Sequence, residues 1–226
     1  MSLKAVIFDK DGVLVDSERG KYRAMERAVA SYGYRELNGF EEWFFGRVGV
    51  PGLESGEMCI KRFDLKGVQP RELYERTEAI RRAMIDSEPA PVIESSVKFL
   101  KSLPRDRVKI GIASSDFPVN IEKHMSQIGT LSYVDAITSG EKGSGEVERD
   151  KPFPDIYLVT ARKLGVAPED CMGIEDTAPG IKAVKSAGMY CIGFRNPNSG
   201  KQDYSEADLV VADLNSPEVL DLFRKN

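Results

Sequence analysis

Short apolar runs alternate with segments of helical periodicity through most of this 226-residue chain. Turn residues follow the apolar runs, and the segments between them carry apolar side chains three or four positions apart. Strands that alternate with helices in this way predict an α/β fold with a doubly wound parallel sheet. The predicted strands are Ala5–Phe8, Val108–Ala113, Tyr133–Thr138, Cys171–Ile174, Tyr190–Phe194 and Leu209–Val211.

The alternation is interrupted directly after the first strand. Between residues 17 and 88 apolar positions recur only at helical spacing, in Tyr22–Tyr32, Glu57–Phe63 and Leu73–Ile85. We therefore predict a helical insert, residues 17–88, that forms a cap domain on a core domain of residues 1–16 and 89–226. An insert at this point rises over the carboxyl ends of the strands, where a lid belongs. The alternative is a helical bundle that packs elsewhere and only stabilises the fold.

Composition excludes several classes of protein. The chain has 32 basic and 36 acidic residues and a net charge of −4, so no nucleic acid partner is expected. It has no long apolar run, and the first strand begins too early for a signal peptide, so we expect neither a membrane span nor export. Three cysteines without a C-x-x-C pair predict a reduced, cytoplasmic protein. We expect a monomer or a weak homodimer.

His124 is the single histidine of the chain. One histidine excludes His-rich zinc sites and argues against Ser-His-Asp or Cys-His catalysis. We expect His124 to be an exposed or half-buried structural residue, distant from the acidic residues discussed below. The chemistry must then come from carboxylates, hydroxyls and lysines.

The first strand ends in the sequence Asp9-Lys10-Asp11-Gly12. Two aspartates two positions apart, with a glycine that turns the chain, can share one small volume beside a hard cation. One of the pair is then free to act as a nucleophile. The alternative is an ordinary Asp-Gly turn after a strand.

Three further strand ends carry polar residues. Ser114 and Ser115 follow the second core strand, where a hydroxyl and free N–H groups bind an anion, although serines there also cap helices. Lys151 precedes a proline-rich loop, and its alternative role is that of a solvated surface charge. Glu175 and Asp176 end the fourth strand, and two adjacent acids are costly to bring together unless a cation neutralises them.

Together these four segments resemble, in order, the four motifs of the haloacid dehalogenase superfamily. The segments Lys151–Tyr157 and Gly173–Gly188 are especially similar to the branch of phosphatases and β-phosphoglucomutases. That branch carries a helical cap after the first motif, where this chain has its helical insert. The resemblance implies a Rossmann-like core, Mg²⁺ as cofactor and a small-molecule phosphate ester as substrate.

The resemblance also implies a role for each acidic residue. Asp9 would be the nucleophile that takes the phosphoryl group as an aspartyl-phosphate. Asp11 would be the general acid and base. Mg²⁺ would be held by Asp9, the backbone carbonyl of Asp11 and Asp176, with Glu175 bound directly or through water.

The phosphoryl oxygens would be held by Ser114 and Lys151. Backbone N–H groups near Gly12 and Ser115 would add to this binding. An anionic carboxylate can approach an anionic phosphate only because Mg²⁺ and Lys151 offset their repulsion.

The second aspartate narrows the reaction. Haloacid dehalogenases and phosphonoacetaldehyde hydrolases lack a carboxylate at the position of Asp11, so a phosphate ester is the expected substrate. The second phosphate of a phosphomutase would face Asp116, Pro118 and Gly49, none of which suits it. We therefore favour a phosphatase acting on a small sugar or polyol phosphate, with a β-phosphoglucomutase-like phosphomutase as the alternative.

Two questions stay open at this point. Lys21 and Arg47 are the residues of the insert that we expect to contact substrate, and their alternative role is that of solvated surface charges. A third function, a catalytically inactive binding or regulatory protein on the same scaffold, is disfavoured because Asp9, Asp11 and Lys151 are all present.

Overall fold

The computed structural model describes residues 3–224, and within this range six strands and nine helices occur. The strands are β1 (Ala5–Phe8), β2 (Lys109–Ser114), β3 (Ala136–Ser139), β4 (Cys171–Glu175), β5 (Tyr190–Phe194) and β6 (Leu209–Val211). The helices are α1 (Glu18–Ala30), α2 (Phe40–Phe45), α3 (Gly52–Phe63), α4 (Pro70–Ser87), α5 (Glu94–Ser102), α6 (Pro118–Gln127), α7 (Asp155–Leu164), α8 (Ala178–Ser186) and α9 (Pro217–Arg224).

All strands belong to one sheet with the order β3-β2-β1-β4-β5-β6, and each neighbouring pair is parallel. This confirms the predicted α/β fold with a doubly wound, Rossmann-like sheet. Strand β1 lies in the middle and is buried on both sides, which explains its uninterrupted apolar sequence. Its side chains alternate between the two faces: Val6 and Phe8 join one core cluster, whereas Ala5 and Ile7 join the other.

Helices cover both faces of the sheet. Apolar side chains of α5, α6 and α9 contribute to the cluster around Phe8, and those of α7 and α8 contribute to the cluster around Ile7. None of the helices in the described range combines the length and the apolar content that a bilayer crossing needs.

The register of the central strands determines which residues meet at the carboxyl edge. Phe8 pairs with Ile112 of β2 and with Ile174 of β4. The residues that follow these three positions, which are Asp9, Ala113 and Glu175, therefore lie side by side at the carboxyl edge of the sheet. The strand order changes direction between β1 and β4, and such a switch point is where open α/β sheets bind ligands.

Helices α1 to α4 lie in the helical insert, where the described residues 18–87 contain no strand. These helices enclose a separate apolar cluster that includes Met25, Val29, Cys59 and Leu73. The division of the chain into a cap domain and a core domain remains a prediction, and this separate cluster supports it.

Besides shifts of one residue at the ends of β2 and β4, some larger details differ from the sequence prediction. Strand β3 begins at Ala136 rather than Tyr133, because Leu131–Tyr133 form a 3₁₀ turn before it. Helices α2 and α9 were not predicted. Both are short, with 6 and 8 residues, so few apolar positions are available to reveal a helical period.

Candidate active site

Acidic side chains from two neighbouring strand ends meet at the carboxyl edge of the sheet. Asp9 follows β1, Glu175 ends β4 and Asp176 comes next. Each of the three offers a carboxylate oxygen, and these atoms lie within 4.8 Å of one another while all three residues are buried. We call this group the carboxylate cluster. Three carboxylates packed this closely away from water repel one another strongly unless a cation lies between them.

The electrostatics of the cluster reflect this repulsion. Burial, together with the nearby Glu175 and Asp11, raises the pKa of Asp9 to about 7 even though Lys151 acts in the opposite direction. Burial also raises the pKa of Asp176 well above its usual value, and the charges of Asp9 and Glu175 add to the effect. A divalent cation among these oxygens would counteract both shifts, because its charge favours the ionised carboxylates.

The shape of the cluster fits such a cation. Within the described part of the chain, Oδ1 of Asp176 is buried and has no hydrogen-bond partner, while its Oδ2 accepts a hydrogen bond from Ser199. A Cβ on Gly12 would lie 1.9 Å from Oδ2 of Asp176, and one on Gly180 would lie 2.0 Å from Oε2 of Glu175. Two glycines thus make room for the acids. An all-oxygen set of ligands is what Mg²⁺ prefers.

Lys151 provides the positive charge beside the cluster. Its ammonium lies 2.6 Å from Oδ1 of Asp9 and 2.6 Å from Oε1 of Glu175. Burial works against this ammonium, but Asp9 and Glu175 outweigh it and raise the pKa of Lys151, so the lysine is charged. The hydroxyl of Tyr157 also donates to Oε1 of Glu175, at 2.6 Å, which fixes that carboxylate from the side of α7.

Asp11 has different surroundings. Its Oδ1 accepts hydrogen bonds from Lys10 at 2.7 Å and from Ser17 at 2.5 Å, and its Oδ2 lies 3.6 Å from the ammonium of Lys21. Burial disfavours the charge, but the two lysines outweigh it and hold the pKa of Asp11 well below its usual range. Its side chain therefore lies outside the carboxylate cluster. The metal contact through its backbone carbonyl stays a prediction.

Of the residues predicted to bind phosphate after β1 and β2, only Ser115 lines the cavity described below. Its hydroxyl donates to Asp150 at 2.7 Å. Ser114 is fully buried, and its hydroxyl accepts a hydrogen bond from the N–H of Asp116. The N–H of Gly12 donates to the carbonyl of Val15, so it is engaged in this conformation, and its contact with phosphate stays a prediction.

A cavity of about 580 Å³ lies between the strand ends and the helical insert. Its volume is in the range typical of small-molecule sites. Gly12, Ser114 and Glu175 are not among the residues that line it. The sequence-predicted residues that the cavity brings together are Asp9, Asp11, Lys21, Arg47, Ser115, Lys151 and Asp176.

The two basic residues predicted in the insert have unlike partners. Lys21 is paired with Glu18 at 2.7 Å and approaches Asp11. The guanidinium of Arg47 lies 4.2 Å from the ring centroid of Trp43 and donates to the sulfur of Met58. Among the described residues no carboxylate forms an ion pair with Arg47, and its Nε is buried without a hydrogen-bond partner.

The prediction for His124 was wrong. The residue is 3% exposed, and its Nδ1 lies 3.1 Å from the ammonium of Lys10, whose other partners are acidic. The sequence analysis also missed Lys10 and two residues of the loop after β5. In that loop Asn196 donates a hydrogen bond to the carbonyl of Gly12, and Ser199 donates one to Asp176. The position of Lys10 between two aspartates at a strand end could have indicated a role in the site, whereas nothing in the sequence around Asn196 and Ser199 indicated one.

A model of the haloacid dehalogenase-like hydrolase family matches residues 3–188. The chain belongs to this family. It is 28% identical over 191 residues to a phosphorylated carbohydrates phosphatase of Thermotoga maritima (83% of this chain, 82% of that protein). It is 30% identical over 212 residues to a β-phosphoglucomutase of Bacillus subtilis (92% and 89%). A β-phosphoglucomutase structure from Clostridium difficile superposes with a TM-score of 0.74 at 27% identity (97% and 96%).

These similarities confirm the branch of phosphatases and phosphomutases that the motifs indicated. The chain is an enzyme of the phosphoric monoester hydrolase type, and phosphomutase activity is the alternative within the same branch. The cavity, the buried Lys151 and the acidic strand ends are thus consistent with membership of this family.

Proposed function

We propose that this protein is a Mg²⁺-dependent phosphatase that hydrolyses a small sugar or polyol phosphate through an aspartyl-phosphate on Asp9. One observation carries the proposal. Asp9 and Asp11 face the same cavity, but Asp9 belongs to the carboxylate cluster beside Lys151, while Asp11 is held apart by its own lysines. Two carboxylates with opposite surroundings can take two different roles, one as nucleophile and one in proton transfer.

The residues divide the reaction as follows. Asp9 attacks phosphorus and forms an O–P bond as the ester O–P bond breaks, while Lys151 offsets the charge of the phosphoryl oxygens. Asp11 gives a proton to the departing alkoxide and then takes one from the water that attacks the aspartyl-phosphate. A bound Mg²⁺, held by Asp9, Asp176 and Glu175, would neutralise phosphoryl charge during both steps.

The protonation of Asp11 differs between these two steps. As the structure stands, Lys10 and Lys21 favour the ionised carboxylate, which suits the second step. The first step needs a protonated carboxyl group. We therefore expect ester binding to change the surroundings of Asp11, with the partly exposed Lys21 turning from Asp11 toward the substrate.

The class of substrate is inferred from the cavity and from a relative. The T. maritima relative is named for phosphorylated carbohydrates, which supports a sugar phosphate for this chain. The lining residues Lys21, Ser55 and Tyr74 offer donors to hydroxyl groups. We also propose a cytoplasmic location, supported by three free and buried cysteines.

One observation favours the second candidate, a phosphomutase. Such an enzyme holds two phosphate groups, and Arg47 is a cavity cation without a carboxylate partner among the described residues. Against it, Arg81, a second guanidinium that lines the cavity, is already held by Asp116 and Glu78 and is not free to bind a second phosphate. The phosphatase therefore remains our proposal.

A panel of phosphate esters tests both candidates. With Mg²⁺ present, we expect sugar and polyol monophosphates to release inorganic phosphate, and glucose 1-phosphate to give no glucose 6-phosphate. Asp9→Asn should abolish turnover because the nucleophile is lost, and Asp11→Asn should lower kcat by about 10²-fold or more. Appearance of the isomer would favour the mutase, whereas undiminished turnover by Asp9→Asn would refute the nucleophile.

A further inference from the structure

Lys10 is a fully buried lysine that pairs with Asp11 but does not line the cavity. It lies between the two aspartates of the first motif, but its side chain points away from the carboxylate cluster. Its ammonium donates to Oδ1 of Asp11 at 2.7 Å, to Oδ2 of Asp116 at 2.9 Å and toward Nδ1 of His124 at 3.1 Å. An ammonium has three N–H groups, so every donor has an acceptor.

His124 can be the third acceptor of the Lys10 ammonium because its imidazole ring is neutral. Burial and the charge of Lys10 lower the pKa of His124 to about 4, so that Nδ1 is free to accept and the ring proton lies on Nε2. The single histidine is therefore a support for Lys10. Without these partners a buried ammonium would be very costly.

Asp116 connects this lysine to the helical insert. While Oδ2 accepts from Lys10, both oxygens of Asp116 also receive hydrogen bonds from the guanidinium of Arg81, in a two-pronged arrangement. Arg81 belongs to α4 and is buried, and Glu78 one turn earlier holds its Nε. The contact thus joins the insert to the turn after β2 through charge-assisted hydrogen bonds.

An unbroken chain of contacts therefore runs from the insert to the acid–base carboxylate. It passes from Arg81 to Asp116, then to Lys10 and then to Oδ1 of Asp11. Because Lys10 and Ser17 both hold Oδ1, the other oxygen of Asp11 is the one left to meet the substrate. Its direction depends on where Lys10 is held.

We propose that Lys10 is a positioning residue that makes the placement of Asp11 depend on the docking of the insert through Asp116 and Arg81. This inference rests on the proposed acid–base role of Asp11. When Arg81 leaves Asp116, the ammonium of Lys10 faces an uncompensated carboxylate and shifts toward it. Asp11 then loses one of its two fixed partners.

The test uses two esters that differ in their need for an acid. An alkoxide, such as that from glycerol phosphate, needs a proton to depart, whereas p-nitrophenolate departs without one. In Lys10→Met we expect kcat for the alkyl ester to fall by about 10- to 100-fold, because a misplaced group loses catalytic effect steeply. For p-nitrophenyl phosphate, the rate constant of the first-turnover burst of p-nitrophenolate, measured by stopped flow, should change by about threefold or less.

Lys123→Met is the matched control. Lys123 also joins α6 to α4 by an ion pair, with Asp86 at 2.7 Å, but both side chains are exposed and neither residue lines the cavity. We expect both activities of this variant to equal those of the wild type, since an exposed pair contributes little. A loss in Lys123→Met like that in Lys10→Met would show that any contact with the insert matters, and would overturn the inference.

The dependence on the insert is tested by Arg81→Met and by the double variant. We expect Arg81→Met to show the same selective loss for the alkyl ester. The double variant Lys10→Met/Arg81→Met should keep about the same kcat as the less active of the two single variants. Residues that act through one contact are non-additive in this way. Melting curves establish which variants fold, and if Lys10→Met does not, the selective loss in Arg81→Met decides.

The outcomes separate the two proposals. If the wild type with Mg²⁺ turns over neither ester, the proposed function fails and this inference fails with it. If the wild type is active but Lys10→Met slows both esters equally, or if the two losses simply multiply in the double variant, only the inference fails.

Discussion

At the scale of single residues, two glycines allow the carboxylate cluster to be compact. Gly180 in α8 passes so close to Glu175 that a methyl group there would overlap its carboxylate. Glu175 cannot retreat, because Lys151 and Tyr157 hold it at 2.6 Å each. The glycine therefore shapes the proposed metal site, although it contributes no ligand to it.

Gly180→Ala should consequently weaken Mg²⁺ binding by about 10-fold or more, as changes behind a metal ligand commonly do. Calorimetric titration with Mg²⁺ measures this. Gly20→Ala is the control, because Gly20 lies in α1 and a Cβ there meets no atom within 4 Å. That variant should bind Mg²⁺ normally and gain about 0.5–1 kcal/mol in unfolding free energy. Unchanged Mg²⁺ affinity in Gly180→Ala would refute the assigned position of the metal.

At the scale of elements, the strand ends could be predicted because their two signals are local. A run of apolar residues marks each strand, and the polar residue that follows it is fixed by the register of a parallel sheet. For this reason Asp9, Glu175 and Asp176 were found from the sequence and meet in the structure, whereas Lys151 lies in the loop between β3 and α7 and was found only from its resemblance to a family motif. The contacts of Lys10 could not be predicted, since Asp116 and His124 are more than 100 positions away.

The carboxylate cluster at the strand ends also leads to a prediction of how Mg²⁺ changes the melting temperature. Without a cation the carboxylate cluster repels itself, so Asp176→Asn should raise the melting temperature of the metal-free protein. Saturating Mg²⁺ should reverse the order, because the wild type gains about 2.7 kcal/mol at a concentration 100 times its Kd, and the variant gains less. Asp170→Asn, which loses only the exposed pair with Lys4, should keep the wild-type response. A variant at Asp176 that responds fully to Mg²⁺ would contradict this assignment.

At the scale of the whole molecule, the helical insert and the sheet each contribute part of one site. The strand ends of the sheet and the loops after them supply the residues proposed to act on the phosphoryl group, and these could be predicted from motifs. The insert supplies residues at the far side of the cavity, and these depend on how helices pack, which helical periodicity alone does not determine. Lys21 and Arg47 line the cavity and their contact with substrate stays a prediction, while their partners Glu18, Trp43 and Met58 were not predicted.

Arg47 therefore offers the sharpest test of what the far side of the cavity recognises. Because it has no carboxylate partner among the described residues, it can receive a second anionic group of a substrate. Arg47→Met should raise KM for a sugar bisphosphate by about tenfold or more, the value of a charged hydrogen bond. KM for the matching monophosphate should change by about twofold or less. Arg71→Met is the control, since Arg71 also lines the cavity but is exposed and already paired with Glu75 at 2.9 Å. Equal increases for both substrates would mean that Arg47 supports the fold of the insert through Trp43 and contacts no anion.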